Sequence, residues 1–161
     1  MGKIEYTNTG VEGLDEIETL WLELNDHHRI YSEHFSASFQ RNTFAKRKRQ
    51  LLEKSAGGEL RIDMAKDKDT GEPVGYCVST VSEDNKGEVD SIFVEEYYRR
   101  SGIGDNLMKQ AMGWMRGKSV SRIVVGVITG NDDALKFYGR YGFYPRATIL
   151  ERTYPADSAD A

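Results

Sequence analysis

The spacing of apolar residues along the chain predicts an alternation of strands and helices. Short runs that alternate with polar residues or are rich in β-branched residues predict strands at 3–7, 60–66, 74–81, 89–94 and 122–128. Residues 143–153 are expected to add one or two more. Apolar residues at helical spacing predict helices over 11–30, from about 39 to 53, after Gly102, and over 131–141. No repeat or linker divides the chain, so the pattern predicts one α/β domain.

Turn residues indicate how the strands are connected. The segments at 67–73 and 83–87 contain Asp, Gly, Pro or Asn, which favour hairpin turns, so three strands form an antiparallel meander. The strand-helix-strand step from Val94 to Val124 makes its two strands parallel. The strand at 122–128 is apolar on consecutive positions, which predicts burial on both faces.

The turn between the strand at 89–94 and the following helix reads Arg99-Arg100-Ser101-Gly102-Ile103-Gly104. The first amides of a helix have no partner within the helix and lie at the positive end of its dipole, so this composition suits a phosphate group. Taken alone, the same residues also fit a tight turn with solvated arginines. The pattern of a P-loop is absent, and a dinucleotide fingerprint would need glycine where the chain has Leu107.

Two sequence blocks carry a resemblance to a known family. Arg99, Gly102 and Gly104 match the pattern [QR]-x-x-G-x-[GA], which resembles the pyrophosphate-binding motif of the GNAT superfamily of acyl-CoA-dependent N-acetyltransferases. Residues 131–143, N-D-D-A-L-K-F-Y-G-R-Y-G-F, are similar to that family's N-x-x-A-x-x-F-Y-x-x-x-G-F block. Because both blocks occur in the expected order, the chain is identified as resembling this family.

The resemblance implies a fold and a cosubstrate. The expected GNAT fold occupies residues 1–154, with a mixed, mostly antiparallel sheet of about six or seven strands that splays between two parallel central strands, flanked by about four helices. Residues 155–161 are expected to form a disordered tail. Acetyl-CoA would place its pyrophosphate on the turn and its pantetheine arm between the parallel strands. The contacts predicted from the resemblance are Ile92, Phe93, Val94, Arg99, Arg100, Ser101, Gly102, Ile103, Gly104, Asn131 and Tyr138.

The resemblance also implies two catalytic residues. Tyr138 would protonate the departing CoA thiolate, with a core aromatic role as the alternative. Glu88 corresponds to a catalytic glutamate in one branch of the family, and alternation places it on the same strand face as Asp90. A surface carboxylate is an equally good interpretation of Glu88, and Glu33 and the histidines are reserve candidates for the base.

Composition and charge narrow the possible partners. The net charge of −4 argues against a general nucleic-acid binder and weakly favours a cationic substrate. Cys77 is the only cysteine, so a disulfide framework is excluded and a small buried residue is expected. No apolar run is long enough to span a membrane, and the N-terminus lacks a signal core, which predicts a cytoplasmic protein.

The histidines at 27, 28 and 34 and the basic run at 46–49 match no known metal or nucleic-acid motif. His27 and His28 point about 100° apart on a helix, and no metal-ligand spacing accompanies them, so no metal site is expected. The four charges at 46–49 point in all directions and indicate a solvated helix surface. In proteins of the resembling family, the region that corresponds to 26–35 borders the acceptor site.

Three functions are therefore compared. The leading one is an acetyl-CoA-dependent N-acetyltransferase acting on an amine of a small molecule or protein, and the second is a CoA-binding sensor without turnover. A structural protein whose turn binds nothing is disfavoured by the second matched block. The acceptor amine stays open, and exposed terminal strands suggest a homodimer.

Overall fold

A computed structural model describes residues 2–154 and has one five-stranded sheet at its centre. The strands, which lie side by side in chain order, are β1 (Ile4–Thr9), β2 (Glu59–Asp67), β3 (Pro73–Val81), β4 (Lys86–Val94) and β5 (Arg122–Val125). β1 to β4 are antiparallel, and β5 is parallel to β4. The predicted α/β class, the meander and the parallel step are confirmed.

Five α-helices flank this sheet in the described part of the chain. They are α1 (Glu18–Tyr31), α2 (Ser36–Arg41), α3 (Phe44–Ser55), α4 (Ile103–Gly117) and α5 (Asp132–Gly139), with short 3-10 helices at Val11–Ile17 and Glu96–Tyr98. Within residues 2–154, no helix combines the length and apolar character needed to cross a membrane.

Two predicted helices differ from the observed ones. The helix predicted over 11–30 begins as a 3-10 helix and becomes α-helical only at Glu18. The helix predicted from 39 to 53 is two helices, because Thr43 starts a new one: its hydroxyl accepts a hydrogen bond from the Lys46 amide at 3.2 Å.

The carboxyl-terminal part of the sheet also differs from the prediction. Residues 143–154 form no strand, so the described residues supply five strands instead of six or seven. The expectation that the fifth strand is buried on both faces was wrong, because Ile123, Val124 and Val125 are only partly buried at the edge of the sheet. The expected tail at 155–161 lies outside the described residues.

Each face of the sheet carries its own core. One core packs α1 and α3 against the sheet, with Trp21, Phe44, Tyr76 and Phe93 among its buried residues. The other packs α4 and α5 against the opposite face and includes Cys77, Val89, Leu107, Met115 and Tyr138. Cys77 is fully buried, as predicted, and burial raises the pKa of its thiol to about 12.

A bulge in β4 determines which residues face which core. Val78 pairs with Ser91 but Ser79 pairs with Val89, so Asp90 is the extra residue. Beyond the bulge the alternation is shifted by one position. As a result Phe93 joins the core under α1 and α3, whereas Ile92 and Val94 pack against the α4 core.

Candidate active site

The turn before α4 presents a series of backbone amides with no internal partner. Arg100 has a φ of 61° and Gly102 a φ of 84°, so the chain enters the left-handed region twice in three residues. Within the described residues, none of the amides at 100–105 donates a hydrogen bond to the protein. Such an arrangement at a helix N-terminus suits an anion.

The two glycines of this turn differ in how well a side chain would be tolerated in their place. Gly102 holds the left-handed conformation that side-chain-bearing residues rarely adopt. At Gly104 a Cβ atom would meet the Phe137 ring at 3.6 Å, which is an ordinary contact. The structure therefore has room for a Cβ atom at position 104, beside the unpartnered amides of the turn.

Arg99 is held in place by the strand that precedes the turn. Its Nε donates to the Val94 carbonyl at 2.8 Å, and its guanidinium lies 5.2 Å from the centre of the Phe93 ring. The residue stays exposed, so its positive charge faces solvent beside the open amides.

A gap opens between the two parallel strands. β4 and β5 pair only from Lys86 with Arg122 to Val89 with Val125, yet β4 continues to Val94. The chain after β5, at 126–128, lines the same cavity as the end of β4. The gap leaves backbone groups at the end of β4 available to an added extended chain.

One cavity of about 550 Å³ joins the turn, this gap and α5. Ten of the twelve predicted site residues line it: Ile92, Phe93, Val94, Arg99, Arg100, Gly102, Ile103, Gly104, Asn131 and Tyr138. Ser101 and Glu88 do not line it. The Ser101 hydroxyl donates instead to the Tyr98 carbonyl within the turn.

Tyr138 lines this cavity and is itself buried. Its side chain packs between Phe137 and Phe143, with ring centres 5.3 and 6.0 Å away. Burial raises its pKa, so the hydroxyl stays protonated at neutral pH. Its hydroxyl makes no hydrogen bond to another described residue, and it is therefore available as a proton donor to a ligand.

The two matched sequence blocks meet at α4 and α5. Asn131 caps α5, because its side-chain oxygen accepts a hydrogen bond from the Ala134 amide at 3.1 Å. Tyr141 donates its hydroxyl proton to Asp105 in the first turn of α4, and Arg140 also contacts Asp105. These contacts fix α5 beside the open amides of the turn.

Glu88 lies in a charged cluster outside the cavity. Lys54 on α3 forms an ion pair with both Glu88 and Asp90, which confirms that the two carboxylates share a face. Asp90 also accepts from the Thr80 hydroxyl at 2.7 Å, and its backbone carbonyl accepts from Arg47 at 3.1 Å. The Glu88 carboxylate is therefore already paired with the ammonium group of Lys54.

The histidine-rich segment contributes two side chains to the cavity. His27 and His28 line it together with Leu24. Burial lowers the pKa of both, to about 4 for His28, which packs edge-on against Phe39. Both are neutral at pH 7. Glu33 and His34 lie outside this lining and are largely exposed.

Several lining residues were not predicted as site residues from the sequence, although Ala134 and Phe137 belong to the matched block. They are Leu24, Tyr98, Asp105, Gly126, Val127, Ile128, Asp133, Ala134, Phe137 and Arg140. One sequence signal could have located the lining residues at 126–128. Gly126 interrupts the β-branched run directly after β5, at the point where the chain separates from β4.

Comparisons with known proteins agree on one family. The model of the acetyltransferase (GNAT) family matches residues 21–143. An uncharacterized N-acetyltransferase of Methanocaldococcus jannaschii is 31% identical over 87 residues, which are 49% of this chain and 38% of that protein. The chain thus aligns with well under half the length of this relative.

Solved structures show the same architecture. An acetyl transferase from Pyrococcus furiosus superimposes with a TM-score of 0.67 at 25% identity, covering 93% of this chain and all of that one. An aminoglycoside N-acetyltransferase in complex with CoA has a TM-score of 0.64 at 13% identity and covers 96% of this chain and 97% of its own. The second likeness is one of fold alone.

Proposed function

The chain belongs to the acetyltransferase (GNAT) family, and on that premise we propose that it transfers the acetyl group of acetyl-CoA to a primary amine of a small molecule or protein. The observation that carries this proposal is the single cavity that joins the unpartnered amides of the turn to the Tyr138 hydroxyl. Unpartnered amides and a free hydroxyl in the lining of one cavity suit a phosphate-bearing thioester.

Binding would use backbone groups more than side chains. The amides at 100–104 would hold the pyrophosphate, with Arg99 and Arg100 supplying positive charge. Phe93 and Val94 would offer their backbone groups to the pantetheine amides as an added strand does, and Asn131 would face them from α5. An amide near the end of β4 would polarise the thioester carbonyl.

The transfer itself is a direct acyl exchange. The amine nitrogen forms a bond to the acetyl carbon, the carbon–sulfur bond breaks, and the Tyr138 hydroxyl gives its proton to the departing thiolate. The attacking nitrogen must also lose a proton. A lysine-like amine with a pKa near 10.4 is neutral in about one molecule in 2,500 at pH 7, a free-energy difference of about 4.6 kcal/mol. We assign Glu88, directly or through water, as the base.

An assay with free CoA as its product tests the proposal. Thiol release from acetyl-CoA is measured against polyamines, amino acids, aminoglycosides and peptides, and the acetylated product is identified by mass spectrometry. Amine-dependent release that Tyr138→Phe slows is the expected result. Absence of turnover on the whole panel, with CoA still bound, would contradict it.

One observation favours a second function, a CoA-responsive binding module. Of the two residues assigned to catalysis, only Tyr138 lines the cavity, and Glu88 is paired with Lys54. A binding module would be stabilised thermally by both CoA and acetyl-CoA and would release no thiol.

A further inference from the structure

The 3-10 helix that precedes the turn is anchored to the hairpin between β2 and β3. Tyr98 is the last residue of this 3-10 helix, and its hydroxyl donates a hydrogen bond to Asp67 Oδ2 at 2.7 Å. Asp67 is the last residue of β2 and is only 5% exposed. The two residues are 31 positions apart, so this hydrogen bond joins two separate parts of the fold.

Asp67 is itself held in place by the hairpin. Its Oδ1 accepts a hydrogen bond from the Asp69 amide at 2.8 Å. Its backbone amide donates to the Glu72 carbonyl at 3.0 Å, and its carbonyl accepts from the Gly71 amide at 2.7 Å. Both carboxylate oxygens are therefore in use, one within the hairpin and the other on Tyr98.

The protonation states of the pair favour the hydrogen bond between them. The hydrogen bond from Tyr98 lowers the pKa of Asp67, and the same bond raises the pKa of Tyr98 to about 12. At neutral pH Asp67 is therefore a carboxylate and Tyr98 a neutral phenol. A hydrogen bond from a hydroxyl to a carboxylate is stronger than one between two neutral groups.

Tyr98 connects this anchor to the open amides of the turn. Its side chain lines the cavity, and its backbone carbonyl accepts the hydrogen bond of the Ser101 hydroxyl. The unpartnered amides at 100–105 begin two residues later. The Glu95 amide donates to the Val74 carbonyl on β3 at 2.9 Å. The segment before the turn is thus held against the β2–β3 hairpin at two points.

We propose that Asp67 is a positioning residue for the cosubstrate, a role that rests on the proposed function: through Tyr98 it holds the turn in the conformation that binds pyrophosphate. Asp67 lies outside the cavity lining, so it acts through Tyr98 alone. Arg100 and Gly102 both have positive φ, a combination that an unrestrained chain rarely populates. Without the Asp67 hydrogen bond the turn spends less time in this conformation, and the apparent affinity falls by the same fraction.

Isothermal titration of the full chain with CoA tests this role. Tyr98→Phe keeps the ring, removes only the hydroxyl and leaves the hairpin intact. It should weaken CoA binding by about 10-fold, as for a turn that is in the binding conformation about one-tenth of the time. Asp67→Ala should weaken binding by at least the same factor. The matched control is Tyr97→Phe, which changes a neighbouring tyrosine that is 71% exposed and should leave the affinity unchanged.

The double variant shows whether the two residues act through the same hydrogen bond. Asp67→Ala combined with Tyr98→Phe should bind CoA no more weakly than Asp67→Ala alone, because both changes remove one shared interaction. If the two losses simply add, the residues act separately and the inference is overturned.

Kinetics separate positioning of the turn from a general loss of structure. Each single variant should raise the KM for acetyl-CoA, while its single-turnover rate at saturating acetyl-CoA stays at the wild-type value, because Tyr138 and its surroundings are unaltered. A variant that loses the saturated rate together with the affinity would make Asp67 a structural residue only.

The remaining outcomes distinguish this role from the proposed function. Unchanged CoA affinity in Tyr98→Phe would overturn the role of Asp67 and leave the proposed acetyl transfer standing. A wild-type protein that does not bind CoA would overturn both.

Discussion

Lys54 on α3 forms an ion pair with Glu88 on β4, so the carboxylate assigned as the base already holds a cation. The pair is partly exposed, with 37% of the Lys54 side chain and 27% of the Glu88 side chain accessible. An acceptor ammonium of like charge to Lys54 would compete with it for the same carboxylate. If Glu88 is the base, a change of Lys54 on α3 should therefore alter turnover.

We predict that Glu88→Gln lowers turnover most at neutral pH, by about 10²-fold. The defect should shrink toward pH 10, because the acceptor amine then loses its proton without help. The measurement is kcat/KM against pH for both proteins. Glu83→Gln, which changes an exposed carboxylate in the preceding turn, is the control. A ratio of rates that stays constant with pH would remove Glu88 from this role.

Tyr138→Phe should slow acetyl transfer by about 10²-fold while leaving stability and acetyl-CoA affinity nearly unchanged. The ring and its packing remain, and only the hydroxyl is lost. A CoA thiol has a pKa near 8.5, so its thiolate is a moderate leaving group and proton donation helps without being indispensable. Single-turnover rates at saturating acetyl-CoA isolate the chemical step.

The matched control for that experiment is Tyr144→Phe, because Tyr144 is exposed and lies outside the cavity lining. Its transfer rate should equal that of the wild type. If Tyr138→Phe also reacts at the wild-type rate, Tyr138 is a packing residue and the proton comes from solvent.

Gly104→Asp should weaken CoA binding strongly, whereas Gly104→Asn should weaken it much less. The two side chains have the same shape, so the difference isolates the charge placed beside the pyrophosphate. A Cβ atom at position 104 would meet the Phe137 ring at an ordinary contact distance of 3.6 Å. Isothermal titration with CoA gives the affinities, and thermal denaturation checks the fold. Equal affinities for the two variants would place the pyrophosphate elsewhere.

His28 predicts a dependence of stability on pH. Burial lowers its pKa from 6.5 to about 4 in the folded protein, so the unfolded chain takes up the proton first as the pH falls. This contribution to stability is fully present above pH 6.5 and is lost between pH 6.5 and about 4. In His28→Gln the free energy of unfolding, measured with urea, should therefore depend less on pH between 6.5 and about 4.

His34→Gln is the control for this prediction, because His34 is exposed and its removal should leave the slope unchanged. Carboxylates common to all three proteins titrate in the same range and cancel in the comparison. Identical slopes for wild type and His28→Gln would show that His28 is accessible to water in the native state.

The sequence predicted the backbone that borders the cavity better than it predicted the surroundings of Glu88. The Gly102 turn and the Asn131 cap depend on local backbone conformation, which short motifs encode directly. The partner of Glu88 could not be predicted, because Lys54 lies 34 residues away on a helix whose rotation depends on tertiary packing. The break at Thr43 was a local signal that the apolar spacing obscured.

The bulge at Asp90 divides β4 into two segments with different surroundings. Residues before it carry the charged cluster, and residues after it border the cavity and pack into both cores. The segments share a strand but not a register, so a change of side chain before Asp90 need not disturb the pairing of 91–94 with β3. Substitutions in the charged cluster and substitutions along the cavity can therefore accumulate independently on a single strand.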